Sequence, residues 1–368
     1  MKEPPQKVDA LLLDFDGTLA GSLQPMWDAY CRFATACRFA PTTAEFEELN
    51  GPPLDQIVQH LRTKHNLELD QKTALSRYRE EVAWAQERVH PTPGALSLLE
   101  AARSRGWRTG IVTSNSRETV VAFLSRHGVS DRIDCIVDCA LSPGKPDPAP
   151  YRSALATLGV AASAALAVED SRQGVAAASA AGLYTFAYAP FDRTPPSGAA
   201  DRVESLPRTL DRLDPSAPRL RLAKEADRPF LFALRNREED VAYFTTPRRL
   251  EPSELEQRFT LDPTLTRRLT FILESASRST AMLRLDQRGE ASYEIGVAVA
   301  PAARGEGLGR RGVEQAMDAV AAMHGPVRFT ASVAIENAAS LRLFDSCGFT
   351  RVGTSDRFQL FAKLGASR

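Results

Sequence analysis

Two rhythms of apolar and polar positions run along this chain. Residues 8–13 (VDALLL) are apolar almost without interruption and end at a turn, the pattern of a buried strand. From about 22 to 90, apolar positions recur at helical spacing among charged ones, as in "FEEL", "LDQIVQHL" and "YREEVAWAQERV", and predict helix throughout. "HPTPG" breaks that run. Helix and strand then alternate: "ALSLLEAARSRG" and "WRTGIVTSN", "ETVVAFLSRHG" and "IDCIVD", "YRSALATLG" and "AALAVED", "GVAAASAAG" and "LYTFAYA". Such alternation implies an α/β fold, a Rossmann-like parallel sheet with helices on both faces. The helical block interrupts it right after the first strand, so it is expected to form a cap over the strand ends.

The rhythm changes past a stretch rich in proline and aspartate at 190–218, where a short helical piece at Leu206–Leu213 is expected to close the first domain. Beyond it, "RLRLAKEAD", "LTFILES", "STAMLRLD" and "ASYEIGVAVA" read as strands and "RPFLFALRNREED" as a helix. That is an α+β layout with consecutive, antiparallel strands. The expected organisation is a first domain at 1–214 (core 1–20 and 91–214, cap about 21–90), a linker at 215–218 and a second domain at 219–368. Its 368 residues suffice for two or three domains.

Composition narrows the function classes. Lys+Arg and Asp+Glu both number 46, so no broad basic footprint points to nucleic acid or an anionic membrane. The opening "MKEPPQKVDA" has no apolar signal core and no run approaches membrane-spanning length, so a cytoplasmic location is expected. Five cysteines in so long a chain read as reduced thiols rather than a disulfide framework. Cys135 and Cys139 are four apart, but no neighbouring Cys or His completes a zinc site.

Parallel sheets bind ligands beyond the carboxyl ends of their strands. The first strand delivers Asp14 and Asp16 there, the next Thr113, Ser114 and Asn115, a later loop Lys145, and a further strand Glu169 and Asp170. Crowded carboxylates raise each other's pKa unless a cation sits among them. A hard ion such as Mg²⁺ takes oxygen ligands and substrate phosphate oxygens. One carboxylate can then attack phosphorus, while the second, two residues on, protonates the leaving oxygen and later activates water. Thr113, backbone amides and Lys145 would bind the phosphoryl oxygens.

"DFDGTL", "VTSN", "GKPDP" and "VEDS…AAASAAG", in this order over residues 8–213, resemble the four motifs of the haloacid dehalogenase superfamily, phosphatase branch, with a helical cap after the first. The resemblance implies that Asp14 becomes a phospho-aspartate and that Asp16 is the general acid/base. It implies that Thr113, Ser114 and Lys145 hold the phosphoryl group. It also implies that Mg²⁺ is bound by Asp14, Asp170 and the main-chain carbonyl of Asp16, with Glu169 beside it. The alternative form of the fourth motif carries a second Asp four residues after the first, where this chain has Gly174. Gly21 stands where many relatives have an acid, at the entry to the cap. "LNGPP" (49–53) is the expected specificity loop.

In the second half, "IGVAVAPAARGEGLGRRG" (295–312) is a strand followed by a turn with Gly305, Gly307 and Gly309 that opens a helix. Glycines let backbone amides converge, and a helix N-terminus adds positive potential, which together seat a pyrophosphate. Arg304, Arg310 and Arg311 add charge. A dinucleotide fingerprint is set aside because no βαβ unit with a following acid surrounds it. With "VRFTASVAIENAASLRLFDSCGF" downstream, the pattern over 219–364 resembles the GNAT acetyltransferase superfamily, and "RGEGLG" matches its acetyl-CoA signature at Arg304, Gly307 and Gly309. By that resemblance the amides of residues 305–310, Leu308 included, bind the pyrophosphate. The main chain of Val297–Val299 runs alongside pantetheine, and Asn337 contacts its arm. Glu294 is placed to relay a proton through water. Phe344 stands where many relatives use a tyrosine as acid, and Arg235 and Asn236 are candidates on the substrate side.

Together these readings give a bifunctional enzyme: a Mg²⁺-dependent phosphatase of a small phosphate ester, expected to be a sugar phosphate, and an acetyl-CoA-dependent N-acetyltransferase of an amino sugar or nucleotide-amino sugar, in surface carbohydrate biosynthesis. Its partners are then small molecules rather than nucleic acid or membrane, and the sequence leaves the oligomeric state open. The alternative is a phosphoglycolate-type phosphatase or phosphomutase whose second half only binds acetyl-CoA or acts on an unrelated amine.

Overall fold

The computed structural model describes residues 3–49, 54–138, 143–191, 193–214, 216–244, 247–251, 253–254, 267–276 and 278–364. The chain divides into two compact units, one of Met1–Tyr188 with Pro195–Arg202, the other of Ala189–Thr194 with Val203–Arg368. Residues 203–214, which the sequence reading gave to the first domain, thus group with the second unit. Their short helix (Arg208–Asp211) is held there by an ion pair from Arg208 to Asp318 at 2.5 Å.

Strands β1 (Ala10–Leu13), β2 (Arg108–Thr113), β3 (Cys135–Asp138), β4 (Ala165–Glu169) and β5 (Tyr184–Tyr188) of the first unit form a sheet with β6 (Asp201–Val203), whose last residue groups with the second unit, in the order β3-β2-β1-β4-β5-β6. The pairs β1/β2, β1/β4, β2/β3 and β4/β5 are parallel. All four residues of β1 are buried, as its apolar run requires. Leu13 is in register with Ile111 and Val168, so β1, β2 and β4 end side by side and Asp14, Thr113 and Glu169 reach one rim. Helices α5 (Ala95–Ser104), α6 (Arg117–Arg126), α7 (Ala149–Leu158) and α8 (Arg172–Ala180) supply the crossovers. Ser116 and Ser171 cap α6 and α8 with their side chains.

The insertion after β1 is four helices rather than one continuous helical run: α1 (Leu23–Cys37), α2 (Thr43–Glu48), α3 (Leu54–His65) and α4 (Gln71–Gln86). Arg38 and Asn66, both at positive φ, turn the chain at the ends of α1 and α3. The insertion has its own core of Tyr30, Phe33, Val58, Leu61, Ala74 and Tyr78. Two short connections join it to the sheet, tied by Gly21 N to His90 O at 2.9 Å and Thr92 N to Leu19 O at 3.0 Å.

The second unit carries α9 (Arg208–Asp211), α10 (Arg228–Arg235), α11 (Glu238–Val241), α12 (Leu308–His324) and α13 (Ala338–Ser346). Its strands are β7 (Arg219–Leu222), β8 (Arg268–Ser275), β9 (Arg278–Gly289), β10 (Ser292–Val299), β11 (Arg328–Ala334), β12 (Thr350–Ser355) and β13 (Phe358–Leu364), in the order β12-β13-β11-β10-β9-β8-β7. The expected helix over 228–240 is broken at Asn236 and Arg237 into α10 and α11. The four consecutive strands β7–β10 pair antiparallel, as expected, whereas β10 and β11 pair in parallel because α12 carries the chain back between them. The hairpin β12–β13 was not predicted. Phe271, Leu283, Ile295, Val313, Val320 and Phe329 belong to the core between α12 and this sheet. No helix among the described residues is long and apolar enough to cross a membrane.

Candidate active sites

The first site grows from the end of β1. Asp14 N continues the sheet by donating to Val168 O at 3.0 Å, and the chain then turns through Gly17 at φ +81°. A Cβ on Gly17 would lie 2.0 Å from Oδ2 of Asp170, so only glycine lets this turn approach the end of β4. Lys145 reaches in beneath it. Its Nζ donates to Asp14 Oδ1 at 2.5 Å, Glu169 Oε1 at 2.6 Å and Val112 O at 2.8 Å. Burial opposes the charge of Lys145, but the carboxylates of Asp14 and Glu169 outweigh it and hold its pKa above the usual lysine range.

Glu169 is fully buried. It also accepts from Tyr151 Oη at 2.5 Å and from Ser171 Oγ at 3.3 Å. Burial, then Asp14, raises its pKa against the pull of Lys145. Oxygens of Asp14, Glu169 and Asp170 all lie within 4.8 Å of one another. An all-oxygen, anionic donor set of this kind fits a hard divalent cation such as Mg²⁺.

Asp16 faces elsewhere. Its Oδ2 accepts from Asn115 Nδ2 at 3.0 Å, and Ser22 also bonds it. Burial first, and then Asp14, pushes its pKa up, which suits a group that must carry a proton. The Asp16 carboxylate is therefore not part of the acidic cluster, so any ligand that Asp16 offers is its main-chain carbonyl. Thr113 is buried and its Oγ1 accepts from Asn115 N at 2.9 Å, which aims its hydroxyl proton away from that bond. Ser114 beside it is exposed.

The second site is an opening in the second sheet. β10 pairs with β9 along Ser292–Val299 but with β11 only over Ser292–Glu294, opposite Arg328–Thr330. Beyond Glu294 the two strands part, and a cavity of about 880 Å³ lies between Gly296–Val299 on one side and Ser332–Ala334 on the other. The signature turn closes one end. Gly305 (φ +84°) and Gly307 (φ +74°) are exposed, and a Cβ on either would meet nothing within 4 Å. Gly307 caps α12, whose N-terminus faces the cavity. A Cβ on Gly309 would press on Val299 at 3.3 Å, so this third glycine serves close packing.

The other predicted residues divide by what their atoms already do. Val297, Val299 and Asn337 line the cavity, and Asn337 caps α13 by accepting from Ser340 N at 3.0 Å. Leu308 is buried in the core, so it offers the site only its amide. Arg304 pairs with Asp240 at 2.5 Å and donates to Val299 O at 3.1 Å, tying α11 to the signature turn. Arg310 pairs with Glu314 at 2.8 Å on the exposed face of α12. Glu294 lines the cavity where the strands part, held by Arg288 at 2.5 Å and Ser332 Oγ at 3.0 Å. Phe344 is buried. Arg235 lines the cavity with its guanidinium 4.3 Å over the Phe244 ring. Asn236 does not serve the substrate side, because both ends of its amide bond Leu250, at 2.7 Å each.

Residues 11–188 match the model of the haloacid dehalogenase-like hydrolase family, and residues 219–350 that of the acetyltransferase (GNAT) domain. A phosphoglycolate phosphatase from Rhodospirillum rubrum is 34% identical over 184 residues, 47% of this chain and 76% of that protein. The chain belongs to the haloacid dehalogenase-like hydrolase family. Two further relatives of the hydrolase half are similar. A plasmid phosphoglycolate phosphatase from Cupriavidus necator is 31% identical over 56% of this chain and 96% of that one. A phosphorylated carbohydrates phosphatase from Thermotoga maritima is 27% identical over 48% and 82%. A solved Thermotoga maritima structure, named there as a candidate beta-phosphoglucomutase, covers 56% of this chain and all of its own at TM-score 0.50 and 24% identity, a likeness of fold alone. The chain is thus a haloacid dehalogenase-like hydrolase that also carries a GNAT domain, and both are enzyme domains.

Three residues of the hydrolase site had no role in the sequence reading. Asn115 orients Asp16, Tyr151 orients Glu169, and Ser22 bonds Asp16. Asn115 was visible in "VTSN", but its partner is 99 residues away, and nothing local names it. Tyr151 sits one turn into α7, six residues past Lys145, and only the packing of α7 shows that it points at the site. The expected specificity loop at 49–53 falls, past Leu49, outside the described residues, as does Cys139.

Proposed function

We propose that the hydrolase half is a Mg²⁺-dependent phosphatase of a small sugar phosphate and that the GNAT half, from residue 219, transfers acetyl from acetyl-CoA to an amino sugar, both in carbohydrate biosynthesis in the cytoplasm. The observation that carries the first part is Lys145 bridging Asp14 and Glu169 beside Asp170, with Asp16 held apart by Asn115. Asp14, Glu169, Asp170 and the Asp16 carbonyl would hold Mg²⁺, which when bound neutralises these acids and the phosphate.

Asp14 attacks phosphorus through a carboxylate oxygen, and the P–O bond to the alcohol breaks. Asp16, whose pKa burial and Asp14 push up, acts as the acid and gives a proton to the departing oxygen. The Asp16 carboxylate then takes a proton from water, which attacks the phosphoryl group on Asp14 and frees phosphate. Lys145 and the Thr113 hydroxyl bind the phosphoryl oxygens as charge shifts. In the second half the deprotonated amine adds to the thioester carbon, the C–S bond breaks, and CoA leaves as the thiolate, taking up the proton that the new amide nitrogen gives up. Glu294, at the parting of β10 and β11, accepts the ammonium proton through water. The exposed amides of the signature turn are the seat for the pyrophosphate.

The relative that acts on phosphorylated carbohydrates supports the sugar-phosphate reading. Two phosphoglycolate phosphatases at 34% and 31% identity favour a second reading, in which the ester is phosphoglycolate. Phosphate release from a panel of hexose phosphates, pentose phosphates and phosphoglycolate, with Mg²⁺, decides between them. Turnover of phosphoglycolate alone removes the sugar-phosphate assignment and the pathway with it.

A further inference from the structure

One face of the second sheet concentrates charge beside the cavity. Register places Arg268 opposite Asp286, Asp286 opposite Glu294, and Arg284 opposite Gly296. Cross-strand partners share a face. With Arg288 this face holds three guanidinium groups against two carboxylates, and the carboxylates are taken. Arg268 Nε donates to Asp286 Oδ1, and Arg288 and Ser332 hold Glu294.

Arg284 is the least tied of the three cations, with an ion pair to Asp286 and no hydrogen bond among the described residues. It lines the cavity with a third of its side chain open, 33%. Its Nε lies 3.1 Å from Asp286 Oδ2 without hydrogen-bond geometry. Its two terminal nitrogens have no hydrogen bond among the described residues. Arg284 lies over Gly296, its Nη2 3.7 Å from where a Cβ would stand, an ordinary contact distance. Burial, the largest influence, pulls the arginine's pKa down against the pull of Asp286.

We infer that Arg284 binds an oxyanion of the acetyl acceptor, so that the amine acetylated in this cavity carries a phosphate or carboxylate group. A guanidinium with two free terminal nitrogens in a partly desolvated cleft matches that chemistry, and the charge surplus on the face supplies the field. Arg284 sits opposite Gly296, two residues past Glu294, so an acceptor anchored there presents its amine toward the strand parting. This inference rests on the acetyltransferase reading of the cavity.

The test measures CoA release by the full chain carrying Asp14→Asn, so that the phosphatase does not strip the probes. Two matched pairs serve: D-glucosamine with D-glucosamine 6-phosphate, and 4-amino-1-butanol with 4-aminobutyrate. One pair reports phosphate, the other carboxylate. The anionic member of at least one pair is expected to exceed its neutral partner at least about tenfold in kcat/KM, through KM. Arg284→Gln is expected to bring that ratio near one, and Arg284→Lys to keep part of it. Equal use of both members by the parent protein, or a ratio unmoved by Arg284→Gln, overturns the assignment of Arg284 while leaving the acetyltransferase reading in place. CoA release from none of the four amines removes that reading, and the inference with it.

Discussion

Glu169 occupies the space that a side chain at position 174 would need: a Cβ on Gly174 would lie 1.9 Å from Glu169 Oε2. The two positions are one device. A glutamate on β4 reaches, with its extra methylene, the place that a shorter acid on α8 would otherwise fill, and the glycine clears the way. Gly174→Ala is therefore expected to push Glu169 off Lys145 and lower the rate of phosphate release about a hundredfold. Glu169→Asp in the same chain should recover part of it by withdrawing the carboxylate. A phosphatase assay on both singles and the double checks this, and additive losses would contradict it.

Metal binding has a readout without substrate. Mg²⁺ well above its Kd is expected to raise Tm by about 5 °C, because a ligand of the folded state stabilises it by mass action. Asp170→Asn removes one of three clustered acids and should abolish the shift. Thermal melts with and without the ion measure it; an equal shift in the variant would place the metal elsewhere.

The signature turn tests the second site. Gly307→Ala puts a side chain on a residue at φ +74° and is expected to cost about 1 kcal/mol of stability. It also puts a methyl into open space at the cavity edge, where acetyl-CoA phosphates are to sit. Calorimetry should show acetyl-CoA binding weakened at least about tenfold. Unchanged affinity would mean that the cofactor does not use these amides.

The cap holds a buried carboxylate with a pH signature. Glu45 is 2% exposed, accepts from Tyr30 and pairs with Lys64 at 3.2 Å and His65 at 2.9 Å. Burial pushes its pKa up, but hydrogen bonds from Tyr30, His65 and Lys64 outweigh that and hold it below the usual range. A lowered pKa in the folded state contributes stability that is complete above the unfolded value, about 4.3, and is lost as pH falls through the folded one. Glu45→Gln is expected to cost about 3 kcal/mol at pH 7, where the pairing is intact. The gap between variant and parent should narrow as pH falls below the unfolded value and through the lower, folded one. Denaturant melts across pH measure it.

The sequence made the hydrolase rim legible because its chemistry sits at strand ends. An apolar run that stops at an acid announces both the strand and the ligand-binding edge, as at Leu13 and Asp14 or Val168 and Glu169. The signature turn was legible for a similar reason, since glycines mark where backbone must be exposed. What stayed hidden depends on register and long-range packing. Arg284 faces Gly296, and Asn115 meets Asp16, only once strands and loops are laid together. The short hairpin Thr350–Leu364 carries no periodic signal strong enough to separate it from a loop. The grouping of Arg208 with Asp318 crosses 110 residues and leaves no local trace.

The central claim is that phosphate passes through Asp14. Phosphate release by the parent chain and by Asp14→Asn, on the best ester of the panel with Mg²⁺, tests it most directly, with acetyl-CoA binding measured alongside as a check on folding. The account predicts a loss of at least about a thousandfold in the variant, with acetyl-CoA binding retained. Turnover within tenfold of the parent would contradict it.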